Sequence, residues 1–227
     1  MQDIGALSSN STPFGYWTRY NGTPLYDAAT KTTAVKPADA QKYLELFKDY
    51  RNNGLVPPAD IAAGYAETNA DTSMVIAGKA AIGFIWTNQL AGYQAATTDE
   101  LCLMEFPGAA ATKALWQAPS QFYTVNKNSK YPEAAVKFIN FLVNSPEAAK
   151  VLGNDRGASA SATARAAGAA DINDRKVLEY LDVAGPHSSK ETDHVPNDTE
   201  FNSTLFLIYQ KVAFGQISTA AGGQQIH

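Results

Sequence analysis

The chain has 227 residues, 45% hydrophobic and 18% charged, enough for one large domain or two modest ones. A net charge of -4, with its 18 Lys and Arg scattered, excludes the basic face that nucleic-acid binding requires. No apolar run reaches the roughly 18 residues of a membrane helix, and "MQDIGALSSNSTPF" lacks the basic and apolar regions of a secretion signal. Cys102 is the sole cysteine, so no intrachain disulfide or cysteine cluster can form. Flanked by Leu101 and Leu103, it is expected to be a small buried hydrophobe.

The spacing predicts an amphipathic helix over 36–53, with Pro37 in its first turn and Gly54 as its stop. Ala40, Tyr43, Leu44, Phe47 and Tyr50 fall on one face. After "LVPPAD", Asp60 is placed to cap a short helical piece. "DTSMVIAG" reads as another short helix, and it feeds a strand over 80–86. That strand delivers an indole, Trp86, into Thr87-Asn88-Gln89. A core strand normally ends in a turn residue, so a large aromatic followed by three hydrogen-bonding side chains suggests a binding site.

Two further strands are expected over 101–106 and around Phe122–Val125, separated by the turn signal Pro107-Gly108. "NSKYPEAAVKFINFLVNSPEAAKVLGNDRG" predicts two helices back to back. Ala135, Phe138, Ile139 and Leu142 line one side of the first. Ser145, Pro146 and Gly153 cap, start and stop the second. Later helices are expected near "NDRKVLEYL", with Val177, Leu178 and Leu181 inward, and near "TEFNSTLFLIYQKVAFG", with Phe201, Leu205, Ile208 and Val212 inward. The pattern is α/β and helix-rich, without a fixed-period repeat.

Enzyme signatures are absent from the sequence. There is no nucleophile elbow, phosphate loop or dinucleotide turn. His187 and His194 share a polar loop without ordered carboxylate spacing, so a solvated loop is the better reading and no metal site is assigned. Glu67, Asp71, Asp99, Glu100 and Glu105 could supply a glycosidase pair only through tertiary proximity; their positions suit helix caps and surface charges.

Three blocks, "GKAAIGFIWTNQL", "NSKYPEAAVKFINFLVNSPEAAKVLGNDRGASAS" and "VAFGQIS", resemble in order and spacing the sugar-binding proteins of ABC importers. These are the extracellular solute-binding proteins related to maltose-binding protein. The middle block, a Lys-x-Pro-Glu-Ala-Ala helix followed by Asn-Ser-Pro-Glu-Ala and Arg-Gly, is the most specific. The resemblance implies the helix-rich part of a two-lobe periplasmic-binding-protein-like fold. It places 1–86 in the C-terminal lobe, 87–145 as a segment crossing to the other lobe, and 146–227 as the helical remainder of the C-terminal lobe. Family members are longer, so the N-terminal lobe's sheet would precede Met1, and "GGQQIH" stops short of the usual final helix.

The implied function is oligosaccharide binding for ABC import, by hinge closure of two lobes, without enzymatic activity or cofactor. The alternative is a glycan-active hydrolase or its accessory domain. Implied partners are an oligosaccharide and the permease subunits, with no nucleic acid. Localisation would be periplasmic or cell-surface, and membrane association would run only through a lipid anchor or the permease. Sugars favour aromatic platforms flanked by hydrogen-bonding groups. Trp86 would be such a platform, unless it is a core or hinge tryptophan, with Asn88 or Gln89 as rim partners. Trp116, Gln117, Ser120 and Gln121 sit where the family's second ligand-contacting loop falls. Arg156 could hold hydroxyls bidentately beside Ser159, or could cap the preceding helix. Tyr16 and Trp17 either line the cleft or pack their helix.

Overall fold

The computed structural model describes residues 2–4, 12–27, 29–65, 69–119, 121–190 and 198–226. Eleven helices occur among them: α1 Thr12–Tyr20, α2 Pro37–Asn52, α3 Ala59–Ala62, α4 Leu90–Ala95, α5 Ala109–Thr112, α6 Pro132–Asn144, α7 Pro146–Leu152, α8 Ala162–Gly168, α9 Ile172–Ala184, α10 Asp198–Ala213 and α11 Thr219–Ile226. The strands are short: β1 Gln2–Ile4, β2 Tyr26–Asp27, β3 Thr32–Thr33, β4 Ala80–Ile82, β5 Trp116–Gln117 and β6 Ser189–Lys190. β1 and β4 are parallel, with Gln2 opposite Ala80 and Ile4 opposite Ile82. β2 and β3 are antiparallel. The class is the expected helix-rich α/β.

Two compact units divide the chain. The first comprises Met1–Ile85, Phe106–Trp116 and His187–His227, and the second Trp86–Glu105 and Gln117–Pro186. In the first unit, α2 presents Ala40, Tyr43, Leu44 and Phe47 to a core completed by Phe14, Leu205, Ile208, Val212 and Ile226. The 3.6-residue periodicity read from α2 and α10 is therefore the packing face itself. α11 lies against α2 so closely that a Cβ on Gly223 would sit 2.5 Å from the Pro37 carbonyl oxygen. A second cluster joins Tyr16, Ala109 and Ala114, with Phe106, Leu115 and Trp116 packed against it.

In the second unit α4 packs on α9, and α6, α7 and α8 pack together. Its caps follow the sequence. The Ser145 hydroxyl accepts from the Glu147 and Ala148 N–H groups, and Pro146 opens α7. The Asp171 carboxylate accepts the Asp174 N–H at 2.8 Å, capping α9. Buried Asp174 accepts the Asn154 N–H at 2.9 Å and so ties the end of α7 to α9.

Several expectations fail for identifiable reasons. The strand over 80–86 shortens to β4, and 101–106 and 122–125 fall outside regular elements. A strand needs a hydrogen-bonded neighbour, and propensity alone does not supply one. The helix over 71–78 reduces to one 3-10 turn, Ala70–Thr72, which Asn69 caps by accepting the Thr72 N–H at 3.2 Å. α3 begins after Pro58, with Asp60 in its first turn and no side-chain cap. Cys102 is exposed. Burial alternates along this segment, with Leu101 and Leu103 half-buried and Cys102 and Met104 exposed, so the leucines turn inward and the thiol outward. On α6, Ala135, Ile139 and Leu142 are half-buried as expected, but Phe138 is 60% exposed.

Candidate functional site

Trp86 opens the second unit. Its side chain is 40% exposed. The extended backbone at Trp86 gives way to the 3-10 turn Thr87–Gln89, and the Gln89 Oε1 reaches back to accept the Trp86 N–H at 2.7 Å. Gln89 thus fixes the turn that holds the indole at the surface. The Asn88 Nδ2 donates to the Asp155 carbonyl at 3.3 Å, joining this turn to the loop after α7.

On that loop Arg156 is exposed, with its Nε 3.3 Å from the Asp155 carboxylate. Its Nη1 donates to the Gln121 Oε1 at 3.0 Å. Asn88 and Arg156 therefore meet at Asp155, which sequence reasoning did not select, Arg156 reaches on to Gln121, and Trp86 heads the turn that carries Asn88. No local pattern marked Asp155, because its role depends on a carbonyl 67 positions from Asn88. Sugar hydroxyls both donate and accept, and this surface combines an indole, an amide pair, a guanidinium and a carboxylate.

The other candidates are placed differently. The Ser159 hydroxyl donates to the Val143 carbonyl at 3.0 Å and accepts the Ser161 N–H, a local structural task. Gln117 is exposed, with its amide beside Gly185. Ser120 lies outside the described residues, as do Glu67 and His194. Tyr16 is 8% exposed, stacks on Phe106 at 4.4 Å and donates its hydroxyl to the Pro107 carbonyl at 2.8 Å. Trp17 packs against the α2 core, edge-on to Tyr43. For these two residues the structure gives helix packing.

Trp116 is half-buried in the first unit, and the Arg19 guanidinium lies over its ring at 5.2 Å. Arg19 is held there by hydrogen bonds from Nη2 to the Ser189 hydroxyl (2.7 Å) and the Lys190 carbonyl (2.9 Å). One face of Trp116 is therefore engaged by a cation. The only sequence trace of this was an arginine in the last turn of α1.

The model of the family described as bacterial extracellular solute-binding protein matches residues 5–178. The chain belongs to that family. Among solved structures, an extracellular solute-binding protein of family 1 from Alicyclobacillus acidocaldarius matches with a TM-score of 0.82 at 26% identity, covering 99% of this chain and 58% of that one. A de novo designed cysteine esterase matches with a TM-score of 0.74 at 26% identity, over 97% of this chain and 57% of that one. A periplasmic oligogalacturonide binding protein from Yersinia enterocolitica, in complex with saturated digalacturonic acid, has the same fold, with a TM-score of 0.80 at 23% identity and 99% and 58% coverage. The chain thus spans less than two thirds of the length of these structures. Among the described residues no helix is long and apolar enough to cross a membrane.

Proposed function

We propose that this chain is part of a carbohydrate receptor of an ABC importer, which binds an oligosaccharide and presents it to permease subunits. Trp86 is the stacking platform, and Asn88, Gln121 and Arg156 are its hydrogen-bonding rim. The observation that carries this is a 40% exposed indole at the head of the turn that carries Asn88, whose side chain reaches Asp155, with Arg156 joining Asp155 to Gln121, all within one unit. Exposed indole flanked by donors and acceptors suits the C–H face and hydroxyl edge of a pyranose. The Yersinia likeness carries the fold, and the sugar reading rests on these residues.

Closure of two lobes about the chain crossing beside Trp86 would convert binding energy into a population shift between open and closed states. The protein would act outside the cytoplasm, meeting the membrane through the permease or a lipid anchor. It works without a cofactor and without turnover.

Isothermal titration of the 227-residue chain with di- to hexasaccharides tests the reading, with Trp86→Ala and Trp86→Phe in parallel. Binding that weakens at least tenfold in Trp86→Ala and is partly restored in Trp86→Phe supports it. A folded chain that gives no heat across the panel, or equal affinity in all three proteins, overturns it.

A further inference from the structure

Two opposite charges stand side by side at a rigid corner of the candidate site. Asp155 and Arg156 are the central residues of a turn closed by the Gly157 N–H, which donates to the Asn154 carbonyl at 2.8 Å. Buried Asn154 pins that turn, because its N–H and its Nδ2 donate to the Asp174 carboxylate and carbonyl at 2.9 and 3.1 Å. Both corner side chains are exposed. Asn88, in the turn that Trp86 heads, donates to the Asp155 carbonyl at 3.3 Å and so sets the acidic corner beside that turn. Arg156 is engaged twice within the protein: its Nε lies 3.3 Å from the Asp155 carboxylate, and its Nη1 donates to the Gln121 Oε1 at 3.0 Å. Its charge is thereby offset, and a ligand carboxylate seeking a bidentate grip would compete with those two acceptors.

A carboxylate only accepts hydrogen bonds, a guanidinium only donates them, and a sugar hydroxyl does both. Two neighbouring hydroxyls can therefore give a proton to Asp155 and take one from Arg156 while the charge balance of the corner stays intact. A uronate carboxylate accepts only, so it can satisfy Arg156 but stands against Asp155 as a like charge. Such a juxtaposition is the ordinary means by which a binding surface rejects a wrong partner. We propose that the Asp155–Arg156 corner selects neutral oligosaccharides bearing vicinal hydroxyls over uronate-bearing ones, with Asp155 as the residue that sets the preference. This rests on the saccharide reading above and narrows its ligand class.

Matched pairs test it: each neutral di- to hexasaccharide and its counterpart oxidised at C6 to the uronate, titrated calorimetrically into the 227-residue chain at low and at high salt. The neutral member is expected to bind at least about tenfold more tightly at low salt, and the gap to shrink at high salt, where charge repulsion is screened and hydroxyl contacts are not. Asp155→Asn keeps the shape of the side chain and removes its charge. It should leave neutral affinity within about threefold and bring the uronate to within about threefold of the neutral sugar. Arg156→Gln, which leaves Asp155 without its counter-charge, should widen the gap instead. Damage to the fold weakens both members of a pair alike and leaves their ratio unmoved, so an unchanged ratio in both variants overturns the proposal. A uronate that matches or exceeds its neutral counterpart in the parent chain also overturns it, and leaves the saccharide reading standing. A folded chain that gives no heat with either member of any pair overturns that reading and this one together.

Discussion

Gly223→Ala is expected to destabilise the protein although alanine is the better helix former. Gly223 is buried in α11, where a Cβ would meet the Pro37 carbonyl oxygen at 2.5 Å, the Gln41 nitrogen at 2.9 Å and the Gln41 Cβ at 3.0 Å. Ordinary contact lies at about 3.5–4.0 Å, so α11 must retreat from α2 by roughly 1 Å. The obstacles are mostly main-chain atoms of the first turns of α2, which no rotamer change moves aside. Overpacking of this kind costs about 1–3 kcal/mol. The helix-propensity gain of Gly to Ala, about 1 kcal/mol, offsets part of that. The expected net loss is up to about 2 kcal/mol, or up to roughly 8 °C in melting temperature for a chain of this size. Gly92→Ala, on α4, is the control: no atom lies within 4 Å of its Cβ, so only the propensity gain remains. Gly222→Ala falls between them, because its Cβ meets the Leu44 Cδ1 at 2.7 Å and the Val212 Cγ2 at 2.9 Å, both side-chain ends. Thermal melts followed by far-UV circular dichroism give the order. A Gly223→Ala protein that melts at or above the parent refutes the close approach of α11 to α2.

Ser145→Ala removes the cap of α7 and is expected to cost about 0.5–2 kcal/mol in urea unfolding. It should also return Glu147 toward its ordinary carboxylate range, because the Ser145 hydroxyl is the main group holding it lower; a proton titration followed by NMR reads that shift. Stability is expected to fall as the medium is acidified through the carboxylate range. Asp27, held low by the Ala29 and Thr30 N–H groups, Glu100, held low by Lys176, and Glu147 all bind protons less readily folded than unfolded, so the folded state loses ground as pH drops. Urea midpoints between about pH 7 and pH 3 measure it, and Lys176→Met should flatten the slope. Midpoints that rise on acidification contradict the assignment.

Helix ends and inner faces were legible in the sequence because each is a local pattern. Ser145-Pro146 with Gly153, and the spacing of Leu205, Ile208 and Val212, need no knowledge of the rest of the chain. Strands were less legible: β4 lies at the start of the strand expected over 80–86, whereas Phe122–Val125 has the right residue types and no ladder. Phe138 shows the same limit on a helix. Its periodicity marks an apolar position, but burial depends on what packs there. At the candidate site the exposure of Trp86 could be read from the polar residues that follow it, whereas Tyr16 and Trp17 share their helix with Phe14 and have the same composition whether they pack or bind. The pairing of Arg19 with Trp116 was not legible from the arginine alone, being a contact between residues 97 positions apart (116 − 19).

On the proposed reading, the indole rather than the polar rim should carry most of the affinity. Arg156 already donates to Gln121 and pairs with Asp155, Asn88 donates to the Asp155 carbonyl, and Gln89 accepts from the Trp86 backbone. A sugar hydroxyl docking there exchanges one hydrogen bond for another, and such exchanges net about 0.5–1.5 kcal/mol. The apolar face of Trp86 has no comparable exchange. At 40% exposure, and with about 150–250 Å² for a whole aromatic side chain, a ligand could cover roughly 60–100 Å², or about 1.5–2.5 kcal/mol at 25 cal/mol per Å². Trp86→Ala should therefore weaken binding about 10- to 70-fold and Gln121→Ala only about 2- to 12-fold. If Gln121→Ala proves the more damaging of the two, binding is driven by the polar network and Trp86 is not the platform.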